Sequence, residues 1–474
     1  MTQLDWQWLT LSQACQRLKS GQGSAEQLTQ EMLARANTLS DQTQAFAMLL
    51  ADDALSAARG LDEKRRAGEP LGLLHGVPIG IKDLLFTKGL PTASGTRVMA
   101  DFRPDFDATV VTRLRQAGAV LIGKTQLTEG AFGSHHPFIN APINPWDQDL
   151  WSGVSSSGSG VAVAAGMAFG AMGSDTGGSI RFPSASCGLV GLKPTYGRVS
   201  LHGAFPLANS LDHIGPMTRS VEDAARMLSV LAGFDAQDPN SIDAPVPNYL
   251  QSLCSPDDGP APLTGMRIGI DWSYVSDGVA PEVVEVTKKA LRQFAELGAQ
   301  VIEIEVPPSA RILAEAWGIS CGVECARAHQ GYYPEQKALY GPVLQGLIEL
   351  GLRTSSEDYQ ALETLRQAFT EQLNDVLTGV DALISPCMPL ATPSVMTMES
   401  GAPVSDDQAD FLLFTAPFDY SGHPTLTLPL ASESGRLPGS FQLIGAKLGE
   451  ESLLRLGSAF EQASQPITYP ELLL

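Results

Sequence analysis

The sequence predicts a layered α/β protein with a large mixed, mostly parallel central sheet flanked by helices. Three observations lead there. Short apolar runs bounded by Gly or Pro recur along the chain, and stretches with helical spacing separate them. Two αβ steps are explicit as well. TVVTRLRQAG (109–118) runs straight into AVLIG, and RIGID (267–271) is followed by a helix over 281–297 and then by QVIEIEV (300–306). Strands that alternate with helices pack as layers around a sheet.

The elements follow in chain order. About residues 1–65 read as a helical segment: SAEQLTQEMLARANTL and AFAMLLADDALSAARGL carry apolar residues at helical spacing, with Ser24 placed as an N-cap. GVPIGIKD (76–83) is too short and too tightly bounded for a helix and reads as a strand. The Ala/Gly-rich stretch 158–173 predicts a closely packed helix leading into a short strand. Further helix is expected within 336–378, strands at DALISP (381–386) and TLTLPL (425–430), and a last helix over 450–463. No repeat is evident. The chain is expected to form one domain, 1–474, with the Pro/Asp/Gly-rich stretch 243–265 as a surface excursion.

The 474 residues are 43% apolar and 18% charged, with a net charge of −21. An acidic chain with no Lys/Arg run is repelled by nucleic-acid phosphates and by anionic lipid, so neither is expected as a partner. No stretch of 18 apolar residues occurs and the start is not signal-like, which predicts a cytoplasmic protein. Cys15, Cys187, Cys254, Cys321, Cys325 and Cys387 form no C-x-x-C. They are expected to be reduced thiols, and no metal is expected.

Three motifs match a pattern and fail in context. GAVLIGKT (118–125) fits the Walker A string, but its intervening residues are those of a buried strand, not of an exposed phosphate-cradling loop. GISCG (318–322) fits the nucleophile elbow, but the preceding ARILAEAW is helical, so Ser320 belongs in a helix. His135–His136 has no companion ligand at metal spacing; one ring is expected towards solvent and one near a cleft.

Two serine loops remain, SGVSSSGSG (152–160) and GSDTGGSIRFPS (173–184). By composition the first is a flexible linker. In the second, consecutive glycines let backbone N–H groups approach a substrate oxygen, and Ser179 directly after them is placed to attack the carbonyl they hold. A serine nucleophile needs a base. His213, beside Asp212, is one choice; a lysine with a pKa lowered by burial is another. Lys82, Lys124 and Lys193 all lie in strand-like apolar contexts, and spacing does not choose among them.

Together, HGVPIGIKD, GAVLIGKTQLTEGAFG, NPWD, GVSSSGSG-VAVAAG, GSDTGGSIRFPS, GLVGLKPTYGRVS, LDHIGPMTRSVEDAA and FTAPFDYSGHPTLTLP resemble the amidase-signature hydrolases. The resemblance runs from about 70 to 225 and recurs near the C-terminus. It implies a Ser–cis-Ser–Lys triad, with Lys82 as base, Ser155 as bridging serine with a cis peptide bond, and Ser179 as nucleophile, 24 residues after Ser155. It further implies an oxyanion hole from the backbone of Thr176, Gly177, Gly178 and Ser179, with Asp175 and Arg181 holding that loop. One departure is Val154, where the family carries glycine. Gly153, Val154 and Trp317 are expected to line the substrate site; Leu344 and Met388 are expected in the core. The implied reaction is hydrolysis of an amide, anilide, carbamate or urea-like C–N bond without a cofactor, on a small-molecule substrate. Homodimerisation is compatible with the sequence. A glutamine-hydrolysing component of a tRNA-dependent amidotransferase is the alternative; its RRIMLG-like stretch is missing from 336–370, which favours a stand-alone enzyme. A non-catalytic binding protein on the same fold is the third reading.

Overall fold

The computed structural model describes residues 6–400, 408–432 and 437–470; the first five residues of the N-terminal segment lie outside them. Eleven strands form one sheet: β1 Phe46–Leu49, β2 Pro78–Lys82, β3 Val120–Thr125, β4 Gly170–Asp175, β5 Val190–Lys193, β6 His213–Thr218, β7 Arg267–Ile270, β8 Gln300–Glu303, β9 Ala382–Ser385, β10 Thr425–Leu430 and β11 Gly439–Ile444. Their spatial order is β1-β3-β2-β4-β6-β5-β10-β11-β9-β7-β8.

The sheet is mixed, as expected, but it is not mostly parallel. β2 runs parallel to β3 and β4, and β7 to β8 and β9. The other pairings are antiparallel. The alternation rule assumes a helical crossover between neighbouring strands. Here β4 pairs with β6 and β10 with β11 by chain reversal instead.

A second correction concerns Phe46–Leu49, expected as helix. It is a strand, paired antiparallel with the outer edge of β3, Phe46 opposite Thr125 and Leu49 opposite Gly123. A four-residue apolar run fits either period, and a distant partner decides it. Helix Ala51–Arg66 begins only after this strand. Elsewhere the helices fall where periodicity places them: Ala25–Thr38 capped by Ser24, Pro281–Glu296, Pro342–Arg353, Ser356–Thr378 and Glu450–Ala463.

β2 and β3 are buried along their whole length, as strands covered on both faces must be. Helix Ser157–Ala164 lies on this part of the sheet and is itself wholly buried. The stretch 243–265 contributes buried Tyr249 and Leu263 to the main core, and the Tyr249 hydroxyl accepts from Arg198 Nε at 2.9 Å. No described helix is long and apolar enough to cross a membrane.

The parallel triplet β3-β2-β4 positions the site. Ile81 pairs with Met172 and Lys82 with Thr125. Lys82 and the loop after β4 therefore leave the sheet at the same edge, the carboxyl ends of parallel strands, where such sheets open a crevice.

Candidate active site

Lys82 is the last residue of β2 and is completely buried. Its Nζ lies 2.7 Å from Ser155 Oγ, 2.7 Å from Ser156 Oγ and 2.8 Å from Ser174 Oγ. No carboxylate among the described residues pairs with it. Burial lowers its pKa to about 7, against the weaker upward pull of Asp175 and Asp212. Geometry thus separates the three lysines. Lys124 is ion-paired with Asp83 at 3.1 Å and bound to the Leu85 carbonyl. Lys193 donates to the His423 carbonyl at 2.6 Å. Of the three, Lys82 is the one that meets the serines of the 152–160 loop.

SGVSSSGSG is a closely held backbone, not a linker. The Val154–Ser155 peptide is cis. Gly153 takes φ +81°, and a Cβ there would sit 2.4 Å from Pro183 Cα, so only glycine fits. The Ser155 carbonyl accepts from Thr128 N–H at 3.3 Å, and Ser156 N–H donates to the Ser179 carbonyl at 3.4 Å. The remaining serines tie the loop to its surroundings: Ser159 Oγ donates to the Met172 carbonyl, and Ser157 Oγ lies 3.1 Å from His135 Nε2.

Ser179 is 9% exposed, more than Ser155 at 1%. The loop carrying it, Asp175–Ser179, is pinned from outside. Asp175 accepts from Gly178 N–H at 2.6 Å, from Ile180 N–H, and from both Nε and Nη2 of Arg181. Burial alone pushes the Asp175 carboxyl up, but the Arg181 guanidinium beside it more than reverses this and holds it well below the usual carboxylate range. Arg181 reaches on to Asp419 at 2.6 Å and to the Thr415 carbonyl at 2.9 Å. Thr415 Oγ1 donates to the Gly177 carbonyl, and Thr176 Oγ1 donates to Asp212.

Of the four amides expected as oxyanion donors, that of Gly178 donates to Asp175 at 2.6 Å. The amides of Thr176, Gly177 and Ser179 meet no protein acceptor among the described residues.

Val154 is half-buried in an apolar cluster with Trp151, Phe182, Met388 and Phe411. Trp317, in helix Ser309–Ala328, donates its indole N–H to the Thr176 carbonyl at 2.9 Å. Leu344 and Met388 are core residues, as expected. Ser320 lies inside helix Ser309–Ala328, and Lys124 of the Walker-like string lies in β3. His213 is buried, with Nδ1 2.7 Å from the Leu211 carbonyl. His136 is buried and His135 half-buried, so neither ring stands free in solvent. All six cysteines are free and buried, and no group of three metal-ligating side chains is assembled among the described residues.

Sequence reading assigned no site role to Ser174, Thr415 or Asp419, and placed Asp212 only beside His213. Ser174 meets Lys82 only through the β2–β4 register, and Thr415 and Asp419, though they lie within the resembling stretch FTAPFDYSGHPTLTLP, reach Arg181 from more than 230 residues away.

The Amidase family model matches residues 27–454. The protein named "Putative amidase AmiD" of Mycobacterium tuberculosis (strain ATCC 25618 / H37Rv) is 42% identical over 457 residues, spanning 96% of this chain and 94% of that one. A glutamyl-tRNA(Gln) amidotransferase component of Chloroflexus aggregans is 37% identical over 490 residues, 98% of each chain. The solved structure of a bacterial aryl acylamidase of the amidase signature family superposes with a TM-score of 0.84 at 26% identity, covering 96% of both chains.

Proposed function

The chain belongs to the amidase-signature family of carbon–nitrogen hydrolases, and from that premise we propose that it is a stand-alone amidase acting through an acyl-enzyme on Ser179. The observation that carries this reading is the buried Lys82 Nζ at 2.7 Å from Ser155 Oγ, on the segment that packs against the Ser179 backbone.

Neutral Lys82 takes the Ser155 hydroxyl proton while Ser155 Oγ takes the proton of Ser179. Ser179 Oγ attacks the amide carbon, and the carbonyl π pair moves onto oxygen, against amides of the 176–179 loop. Collapse expels the leaving nitrogen, which receives the proton relayed from Lys82 through Ser155. Water then repeats the cycle: it loses a proton along the same relay, adds to the acyl carbon, and restores Ser179. Each half-reaction returns Lys82 to its neutral form, and no cofactor enters.

A glutaminase role is the second reading, favoured by the 37% identity to an amidotransferase component. One screen separates the two. The purified chain, alone, is offered aliphatic amides, anilides, carbamates and glutamine, and release of ammonia or amine is followed. Turnover of simple amides or anilides without any partner supports the stand-alone reading. Turnover of glutamine only, or activity that requires an added partner protein, overturns it.

A further inference from the structure

A trans peptide group is planar, with its N–H and C=O pointing in opposite directions. Whatever holds a carbonyl in the 175–179 loop therefore aims the next residue's N–H. The loop's carbonyl partners alternate. The Gly177 carbonyl accepts from Thr415 Oγ1, and the Gly178 N–H of the same peptide group goes to Asp175. That group is satisfied at both ends. The next carbonyl, Gly178, accepts from Phe182 N–H at 2.7 Å, leaving Ser179 N–H directed the other way and without an acceptor among the described residues. The preceding carbonyl, Thr176, accepts from Trp317 Nε1 at 2.9 Å, leaving Gly177 N–H opposite and without an acceptor among the described residues. Of the three holders, the indole N–H is the only one contributed by a helix remote in sequence whose side chain also packs on the loop. A Cβ on Gly177 would meet the Trp317 ring at 2.7 Å, and Phe132 stacks on that ring at 6.0 Å.

We propose that Trp317 is a positioning residue for acyl transfer: its indole N–H fixes the Thr176–Gly177 peptide group so that Gly177 N–H faces the carbonyl oxygen that becomes negative. The donated hydrogen bond also polarises that peptide group, which strengthens its N–H as a donor. This role differs from lining the substrate site. It acts on every substrate alike, because it acts on the oxyanion and not on the acyl or leaving group. The inference rests on the acyl-enzyme reading above.

The test uses three full-length proteins: the wild type, Trp317→Phe, and the chain with 3-benzothienylalanine at 317. The last keeps the ring shape and replaces the N–H by sulfur, so it separates loss of the donor from loss of packing. The first readout is the rate at which an alkyl fluorophosphonate labels Ser179. Both variants are expected to label roughly tenfold more slowly than the wild type, less than the 10²–10³ typical of deleting an oxyanion donor outright. The second readout takes the two best amides of the screen that differ in leaving group. For both, kcat is expected to fall by the same factor, with KM within about twofold of the wild type. Benzothienylalanine protein that labels and turns over like the wild type overturns the inference, as does a KM change that differs between the two amides. No labelling of wild-type Ser179 overturns instead the acyl-enzyme reading beneath it.

Discussion

In the proposed reaction Lys82 is the base, and its burial is what suits it to that role. Completely buried among three hydroxyls and, among the described residues, without a carboxylate partner, it loses the solvation that keeps a surface lysine charged, and its pKa falls to about 7 from 10.5. As the proton acceptor it must be neutral, so kcat/KM is expected to rise with pH through an inflection near 7 and to drop about tenfold per unit below it. A histidine base would behave otherwise: burial lowers the His213 pKa well below 6.5, so its inflection would fall at acid pH. Stability follows the same proton. Between about 7 and 10.5 the unfolded chain keeps a proton on this lysine that the native chain does not, so this residue's share of stability grows as pH rises through that window. Lys82→Ala is expected to lower amide hydrolysis by at least roughly 10³, measured as amine release. His213→Ala, assayed per folded protein, is expected to stay within a few-fold of the wild type. The reverse ranking would assign the base to His213. The motif resemblance points to Lys82, Ser155 and Ser179, and the structure gathers Lys82 and Ser155 directly. Composition and spacing alone do not distinguish Lys82 from Lys124 and Lys193, because what separates them is which side chains surround each Nζ.

At the scale of the element, the peptide groups of the loop after β4 are held by side chains from inside and outside it. Gly178 illustrates the constraint. Its φ of +128° is closed to side-chain-bearing residues, and a Cβ would stand 2.5 Å from the Phe182 ring. Gly178→Ala is therefore expected to cost both stability and labelling of Ser179, read as a lower Tm and a slower probe reaction. The Asp175 carboxylate accepts from the amides of Gly178, Ile180 and Arg181 and from two guanidinium nitrogens of Arg181. Asp175→Asn keeps the shape but loses the charge opposite Arg181. Breaking a buried pair in this way is expected to cost about 3–5 kcal/mol, seen as a lower denaturant midpoint. Elements are legible when their period is sustained, as in the 23 residues of Ser356–Thr378, or when Gly and Pro bracket them, as in β2. Phe46–Leu49 shows where legibility ends. Four apolar residues carry no decisive period, and the edge of β3 that recruits them is not visible from within the segment.

Across the whole molecule, the site is assembled from three regions of the chain that the sheet order brings together. Lys82 comes from β2, Ser155 and Ser179 from the segments before and after β4, and the outer supports Thr415 and Asp419 from a segment just before β10. Arg181 is the link. It is completely buried, binds Asp175 in the loop and Asp419 some 238 positions later, and so ties the segment before β10 to the loop that carries Ser179. The alternation of strands and helices makes the layered α/β class legible. The sense of each pairing is not, because it depends on how the chain returns between β4 and β6 and between β10 and β11. The central claim is that this assembly makes Ser179 a nucleophile activated by Lys82 through Ser155. The most direct measurement treats wild-type, Ser179→Ala, Ser155→Ala and Lys82→Ala proteins with an alkyl fluorophosphonate and maps the modified residue by peptide mass spectrometry. The account predicts one label on Ser179 in the wild type, none in Ser179→Ala, and labelling slowed by orders of magnitude in the other two. A label on another residue, or Lys82→Ala protein that labels at the wild-type rate, would contradict it.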